Sequence, residues 1–263
     1  MRDPVALRGP ARPVHHDVRD VWWFLAVLVA TSAVFYLAGP VLGSLSGVTQ
    51  ANVPASGLSV VCPTIAAVVV AVRTGTGRQL LRWVTARPRG VIPWVMAIAA
   101  LPTAVVASAL LTGQGSGFEV PDVGALGLVV VFLVGALAEE LGWTAFLLPR
   151  LLRLTGEPQT AVIIGSLYVL WHLVPDIQAG HAAPWIVGHT LYSILFRVFI
   201  VQLTVHSGAS VWPAVVAHAA FNLAWALSPD AGAGFDPWVM AALTAVIVAA
   251  FAVIRSVDRR RLA

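Results

Sequence analysis

Residues 136–143 read ALAEELGW and place two adjacent carboxylates, Glu139 and Glu140, inside an apolar run from Leu126 to Leu148. A central acidic residue costs about 3 kcal/mol on insertion scales for a transmembrane helix. A structural ion pair would require only one acid. Two in succession therefore indicate a polar cavity, and ionisable residues at membrane depth mark functional sites.

The rest of the chain has the composition of a membrane-spanning protein. Of its 263 residues, 59% are hydrophobic and 11% are charged, whereas a soluble domain has about 25% charged residues. Apolar runs long enough to cross about 30 Å of hydrocarbon recur throughout. We therefore predict an all-α, polytopic transmembrane bundle of about eight spans, at 22–42, 56–73, 91–113, 124–150, 159–177, 184–205, 209–228 and 236–254.

The arginines predict the orientation of the bundle. They cluster in the N-terminal tail, at 73–89, at 150–153 and at 255–261, whereas the alternate connections carry none. The positive-inside rule then places both termini in the cytoplasm, and it explains the pI of about 10.2 without a nucleic-acid partner. We expect a multi-pass protein of the cell membrane, in a bacterial plasma membrane. Its predicted parts are a polar cytoplasmic tail (1–20), one transmembrane bundle (21–255) and a basic cytoplasmic tail (256–263).

Three further polar residues occupy the predicted spans that follow the glutamates. His172 lies in the fifth span, and His218 and Asn222 lie in the seventh. The last two are four residues apart, which puts them on one helix face. We therefore predict that these residues and Glu139 surround one hydrated cavity.

Such a cavity suits water-mediated amide hydrolysis, because no residue has the sequence context of an activated nucleophile. A carboxylate beside an imidazole can deprotonate water, and a second histidine with an asparagine amide can stabilise an oxyanion. Glutamate and two histidines could instead bind zinc. The HExxH pattern is absent, however, and Asn222 is a poor zinc ligand, so we expect no metal and no other cofactor.

These residues resemble the motifs of the CAAX-protease and bacteriocin-processing (CPBP or Abi) family of intramembrane glutamic endopeptidases. The likeness covers about 125–228, the predicted catalytic core. It rests on the glutamate pair, on an aromatic residue four positions before a histidine, and on a histidine four positions before an asparagine. In this chain the motif residues are Glu139, Glu140, Gly142, Trp143, Leu148, Pro149, Arg150, Tyr168, Trp171, His172, His218 and Asn222.

The resemblance implies a role for each residue. Glu139 would activate water with His172, and His218 and Asn222 would form the oxyanion hole. Auxiliary roles are implied for Glu140, Trp143 and Arg150.

One position departs from the family pattern. The family has an arginine four residues after the second glutamate, where it orients that carboxylate, and this chain has Thr144. Arg150 would replace it only if the helix bends, and Arg197 in the sixth span is the other candidate.

The leading hypothesis is an intramembrane endopeptidase that cleaves a peptide or membrane-associated protein at the lipid bilayer. Eukaryotic relatives cut prenylated CAAX tails. The alternative is a non-catalytic membrane scaffold or bacteriocin-immunity protein of the same fold, which Thr144 favours. A proton-coupled transporter is a third hypothesis, although the chain has no inverted repeat. No oligomeric state is predicted.

Overall fold

The computed structural model describes residues 13–45, 47, 53–114, 118, 123–228, 232 and 234–262, and this part of the chain is helical. Its α-helices are α1 (Val14–Leu42), α2 (Cys62–Arg73), α3 (Gly77–Thr85), α4 (Ile92–Leu111), α5 (Val123–Glu140), α6 (Leu148–Leu154), α7 (Glu157–Gln178), α8 (Ala183–His206), α9 (Trp212–Ala226) and α10 (Pro237–Leu262). A 3₁₀ segment (Ala55–Val61) leads into α2, and a π-helical segment (Leu141–Leu147) joins α5 to α6. The all-α prediction is confirmed.

Seven helices are long and apolar enough to cross a membrane, whereas the sequence predicted about eight. The exception is α9, the predicted span 209–228, which has 15 residues and is therefore about 22 Å long. A tight turn delays its start, because Ala209, three residues before Trp212, adopts a left-handed φ of 72°. Seven helices of this length and composition are typical of a multi-pass membrane protein.

Helical structure extends into both predicted tails. Helix α1 begins at Val14, so the end of the predicted polar tail is helical, while residues 1–12 lie outside the described part. Helix α10 continues to Leu262 and includes the predicted basic tail. The connection after the second span, predicted as a loop, contains α3, which exposes Arg78 and Arg82 and buries Trp83.

Ion pairs bring several charged termini to one end of the bundle, here called the basic end. Arg150 and Arg153 near the end of α6 pair with Asp20 and Asp17 in the first turns of α1. Arg150 also donates to Thr76, in the turn before α3. Near the end of α10, Arg255 makes a bidentate pair with Glu157 at the start of α7. The basic end is defined by Asp17, Asp20, Thr76, Arg150, Arg153, Glu157 and Arg255.

Two apolar clusters form the core, and they meet through aromatic side chains. One contains Phe24, Trp143 and Tyr168, and the other contains Phe196 and Phe251. The ring centroids of Tyr168 and Phe196 are 6.3 Å apart across the boundary. Helix α8 packs between α7 and α10, and α9 packs between α4 and α5. The short helix α9, which carries His218 and Asn222, therefore lies between two longer helices.

Candidate active site

The glutamate pair ends α5 at the point where the helix widens into the π segment. Close packing sets this geometry, because a Cβ added to Gly142 would lie 2.4 Å from the Cβ of Pro63 at the start of α2. One residue further along α2, the Thr64 hydroxyl donates to the carbonyl of Ala138. π-Helical turns are rare and occur frequently at functional sites.

Glu140 is fully buried and held by three hydrogen bonds. Arg197 donates to its Oε1 atom at 2.7 Å, and Nδ1 of His218 lies 2.9 Å from the same oxygen. The Thr144 hydroxyl donates to Oε2 at 2.5 Å. Both carboxylate oxygens are thereby occupied, and the side chain is fixed from three different segments.

Glu139 is held much more loosely, although its side chain is 5% exposed. Its Oε2 atom lies 3.4 Å from Nη2 of Arg197 and 4.0 Å from Nε2 of His172. The second distance is too long for a direct hydrogen bond. Nε2 of His172 makes no hydrogen bond within the described part of the chain, and the side chain is 24% exposed. This is the more accessible side of the pair.

Aromatic rings hold His172 in place on α7. The Tyr168 ring centroid lies 4.2 Å from that of His172, and the Trp171 ring lies 4.6 Å away on the other side. Trp171 donates from Nε1 to Ser32 on α1. Helices α7 and α8 approach closely at Gly165, where an added Cβ would be 3.0 Å from the Cα of Ile194.

Helix α9 brings His218 to the second glutamate rather than to the first. His218 is buried against Phe196, with ring centroids 5.2 Å apart, and its contact is with Glu140. Asn222 lies one turn further along and is half-buried. Among the described residues its amide has no hydrogen-bond partner. The amide is therefore available to an incoming group.

The two auxiliary residues predicted from the family pattern lie in different surroundings. Trp143 is fully buried and packs edge-on against Phe24 and Tyr168, so it belongs to the aromatic wall of the site. Arg150 lies at the basic end, where it binds Asp20, Thr76 and the carbonyl of Phe146. It does not replace the family arginine, because its guanidinium is directed toward α1 and the turn before α3.

Sequence reasoning missed a second polar pair, one turn beyond His172. Nδ1 of His189 lies 2.8 Å from Oδ2 of Asp176, and its Nε2 lies 3.5 Å from the buried hydroxyl of Ser193. Trp185 stacks between His189 and His181, and burial lowers the pKa of His181. The spacing from His172 to Asp176 is the signal that would have placed Asp176 on the same helix face.

Within the described ranges, no three His, Cys, Asp or Glu side chains are arranged so that they could jointly hold a metal ion. The absence of a metal or other cofactor stays a prediction.

The fold and site define a class: a helical bundle with membrane-spanning helices and a buried pair of acids in its interior. Residues 121–224 match the family model described as Rce1-like, type II CAAX prenyl endopeptidase. This match covers less than half of the chain, includes every motif residue named above, and confirms the resemblance stated from those motifs. It is a membrane protease family. Among curated proteins, none matches the chain.

Proposed function

We propose that this protein is an intramembrane endopeptidase in which Glu139 activates a water molecule. One observation carries the proposal: a loosely held carboxylate lies 4.0 Å from an imidazole nitrogen that makes no hydrogen bond within the described residues. A single bridging water, at the usual distance of about 2.8 Å from each atom, would span such a gap. No other acid in the described interior has this combination of burial and a free neighbouring imidazole.

In the proposed reaction the water donates one proton to Glu139 while its oxygen attacks the peptide carbonyl carbon. Nε2 of His172 accepts the second hydrogen bond from the water and orients it. The tetrahedral intermediate then collapses, the carbon–nitrogen bond breaks, and Glu139 returns its proton to the leaving amine. The products are a new carboxylate and a new amine, and no residue is left modified.

The oxyanion would be stabilised by α9. Asn222 has an amide that can donate to the substrate oxygen. His218 can donate from Nε2 while its Nδ1–H bonds to Glu140, provided that the ring is an imidazolium, in which both nitrogens are donors.

The substrate class follows from the family likeness. We infer a peptide or membrane-associated protein, with a prenylated C-terminal CAAX segment as the first one to test, because the matching family is described as a CAAX prenyl endopeptidase. The plasma membrane of a bacterium, with the basic end in the cytoplasm, is the proposed location, since the arginines cluster there.

The test compares wild type with Glu139→Gln in proteoliposomes, using a fluorophore-quencher peptide that ends in a farnesylated CAAX sequence and the same peptide without the lipid. Wild type should cleave the lipidated peptide, and Glu139→Gln should lose at least 1000-fold in kcat, because the amide cannot accept the proton. Glu157→Gln, which changes an acid at the basic end, is the matched control and should retain turnover.

Cleavage by folded Glu139→Gln at the wild-type rate would overturn the assignment. Binding of the peptide by wild type without cleavage would instead favour the non-catalytic scaffold. That alternative depended on Thr144 in place of an arginine. Its support is reduced, because Arg197 brings a positive charge to within 2.7 Å of Glu140.

A further inference from the structure

Arg197 is a charged side chain that the proposed reaction does not use directly, yet it lies at the centre of the site. It comes from the middle of α8 and is fully buried. Its two terminal nitrogens reach different acids, Nη1 contacting Glu140 at 2.7 Å and Nη2 contacting Glu139 at 3.4 Å. Its guanidinium carbon lies 3.7 Å from the ring centroid of Tyr168, so an aromatic face covers the cation.

The two contacts differ in length, and this difference distinguishes the roles of the two acids. The short bond adds to those from Thr144 and His218, so that Glu140 has no free oxygen. The long bond leaves Glu139 with lone pairs directed elsewhere, on the side of His172. A general base must be ionised, accessible and free to move slightly toward a proton, and only Glu139 meets these requirements here.

The charges also require this arginine. Two carboxylates placed side by side in a buried site cannot both stay ionised unless a cation is close, because like charges oppose each other's ionisation. The Arg197 guanidinium supplies that positive charge to both acids. Without Arg197 the two acids would share a proton, which removes the base.

We infer that Arg197 is a positioning residue that fixes Glu140 as a permanent anion and leaves Glu139 as the base. This inference rests on the proposed hydrolytic function. Arginine suits the task because its planar fork has two terminal nitrogens that can engage two acids at once, whereas lysine offers a single point charge. Arg197 acts through the glutamates and contacts neither water nor substrate in the proposed reaction.

The experiment measures kcat and KM of Arg197→Met and Arg197→Lys with the farnesylated peptide in proteoliposomes, per folded molecule. Arg197→Met should lose at least 100-fold in kcat with KM within threefold of wild type, because the charge acts on the base and not on peptide binding. Arg197→Lys keeps the charge without the fork and should retain an intermediate kcat, about tenfold below wild type.

Arg255→Met is the matched control, since it removes another buried arginine from a bidentate pair with Glu157 at 2.5 and 2.9 Å, at the basic end. Its kcat should stay within threefold of wild type. Equal losses in Arg255→Met and Arg197→Met would overturn the inference, since both would then report packing alone. Wild-type kcat in folded Arg197→Met would also overturn it.

If Arg197→Met does not fold, Arg197→Lys decides: a kcat tenfold below wild type with unchanged KM supports the inference, and wild-type kcat overturns it. Glu139→Gln separates this inference from the proposed function. Activity in Glu139→Gln would refute the function itself, whereas an inactive Glu139→Gln beside a fully active Arg197→Met would refute the role of Arg197 alone.

Discussion

The bundle buries arginine among acids in two regions, and the regions differ in how many acids each cation serves. At the basic end, each of two arginines pairs with a different acid among the described residues: Arg150 binds Asp20, and Arg153 binds Asp17 through two hydrogen bonds of 2.7 and 2.5 Å. At the centre, a single guanidinium from Arg197 serves two adjacent carboxylates.

The difference distinguishes ion pairs that stabilise the fold from an ion pair that also serves the proposed reaction. At the basic end, the ion pairs connect the start of α1 to α6. The shared cation at the centre leaves Glu139 weakly bound, beside an imidazole nitrogen with no partner among the described residues. Glu139, which can accept a proton, thus lies in the region where two carboxylates share one arginine.

Neutralising Glu140 should have the largest combined effect on stability and turnover in this comparison. Glu140→Gln keeps the shape but loses the charge that holds Arg197 and His218, so the free energy of unfolding should fall by about 3–5 kcal/mol. In the molecules that remain folded, kcat should fall at least 100-fold, because the base and the oxyanion donor are both displaced. Denaturant titration in detergent and the peptide assay measure the two effects. Unchanged kcat would show that the contacts of Glu140 with Arg197 and His218 only stabilise the fold.

Asp20→Asn makes the corresponding change at the basic end. It removes the countercharge of the buried Arg150, so stability should again fall by about 3–5 kcal/mol. Turnover per folded molecule should stay within threefold of wild type, because this pair does not contact the glutamates. A loss of kcat as large as that of Glu140→Gln would erase the distinction between the two regions.

A smaller effect is expected from the glycine that permits the π segment. An added methyl group at Gly142 would meet Pro63 at 2.4 Å, so Gly142→Ala should cost about 1–3 kcal/mol of stability and reduce kcat by shifting Glu140. Gly135→Ala, at a position in α5 where nothing lies within 4 Å, is the control and should keep stability or raise it by up to about 1 kcal/mol, because alanine has the higher helix propensity. Equal stability in the two variants would show that the close approach at Pro63 is not required.

The apolar pattern and the motif spacing together predict much of this molecule. Six of the predicted spans begin and end within four residues of a helix or helical segment in the structure, because long apolar runs have few alternatives to a helix in lipid. The spacing of His218 and Asn222 placed them on one face. The convergence of Glu139 and His172 likewise followed from their depth in neighbouring spans.

Other features depend on contacts between segments far apart in the chain. Arg197 was one of two candidates for the missing family arginine, and its contact with Glu140, 57 residues earlier, depends on how distant helices pack. The π segment contains the close approach of Gly142 to Pro63, and the preference of His218 for Glu140 depends on how α9 packs against α5. Arg150 looked suitable from its position in the motif, but its partner Asp20 lies in a part of the chain predicted to be a tail.

The short length of α9 has a consequence for how a peptide would reach Asn222. The start of the helix contacts the end of α3, because Trp212 donates from Nε1 to the carbonyl of Val84. A helix of about 22 Å that starts at one face of a 30 Å layer stops about 8 Å below the other face. The amide of Asn222 lies one turn before that stop. Asn222 itself is about 15 Å from the start of the helix, near the middle of such a layer, so a polypeptide must reach about halfway into the bundle to meet it.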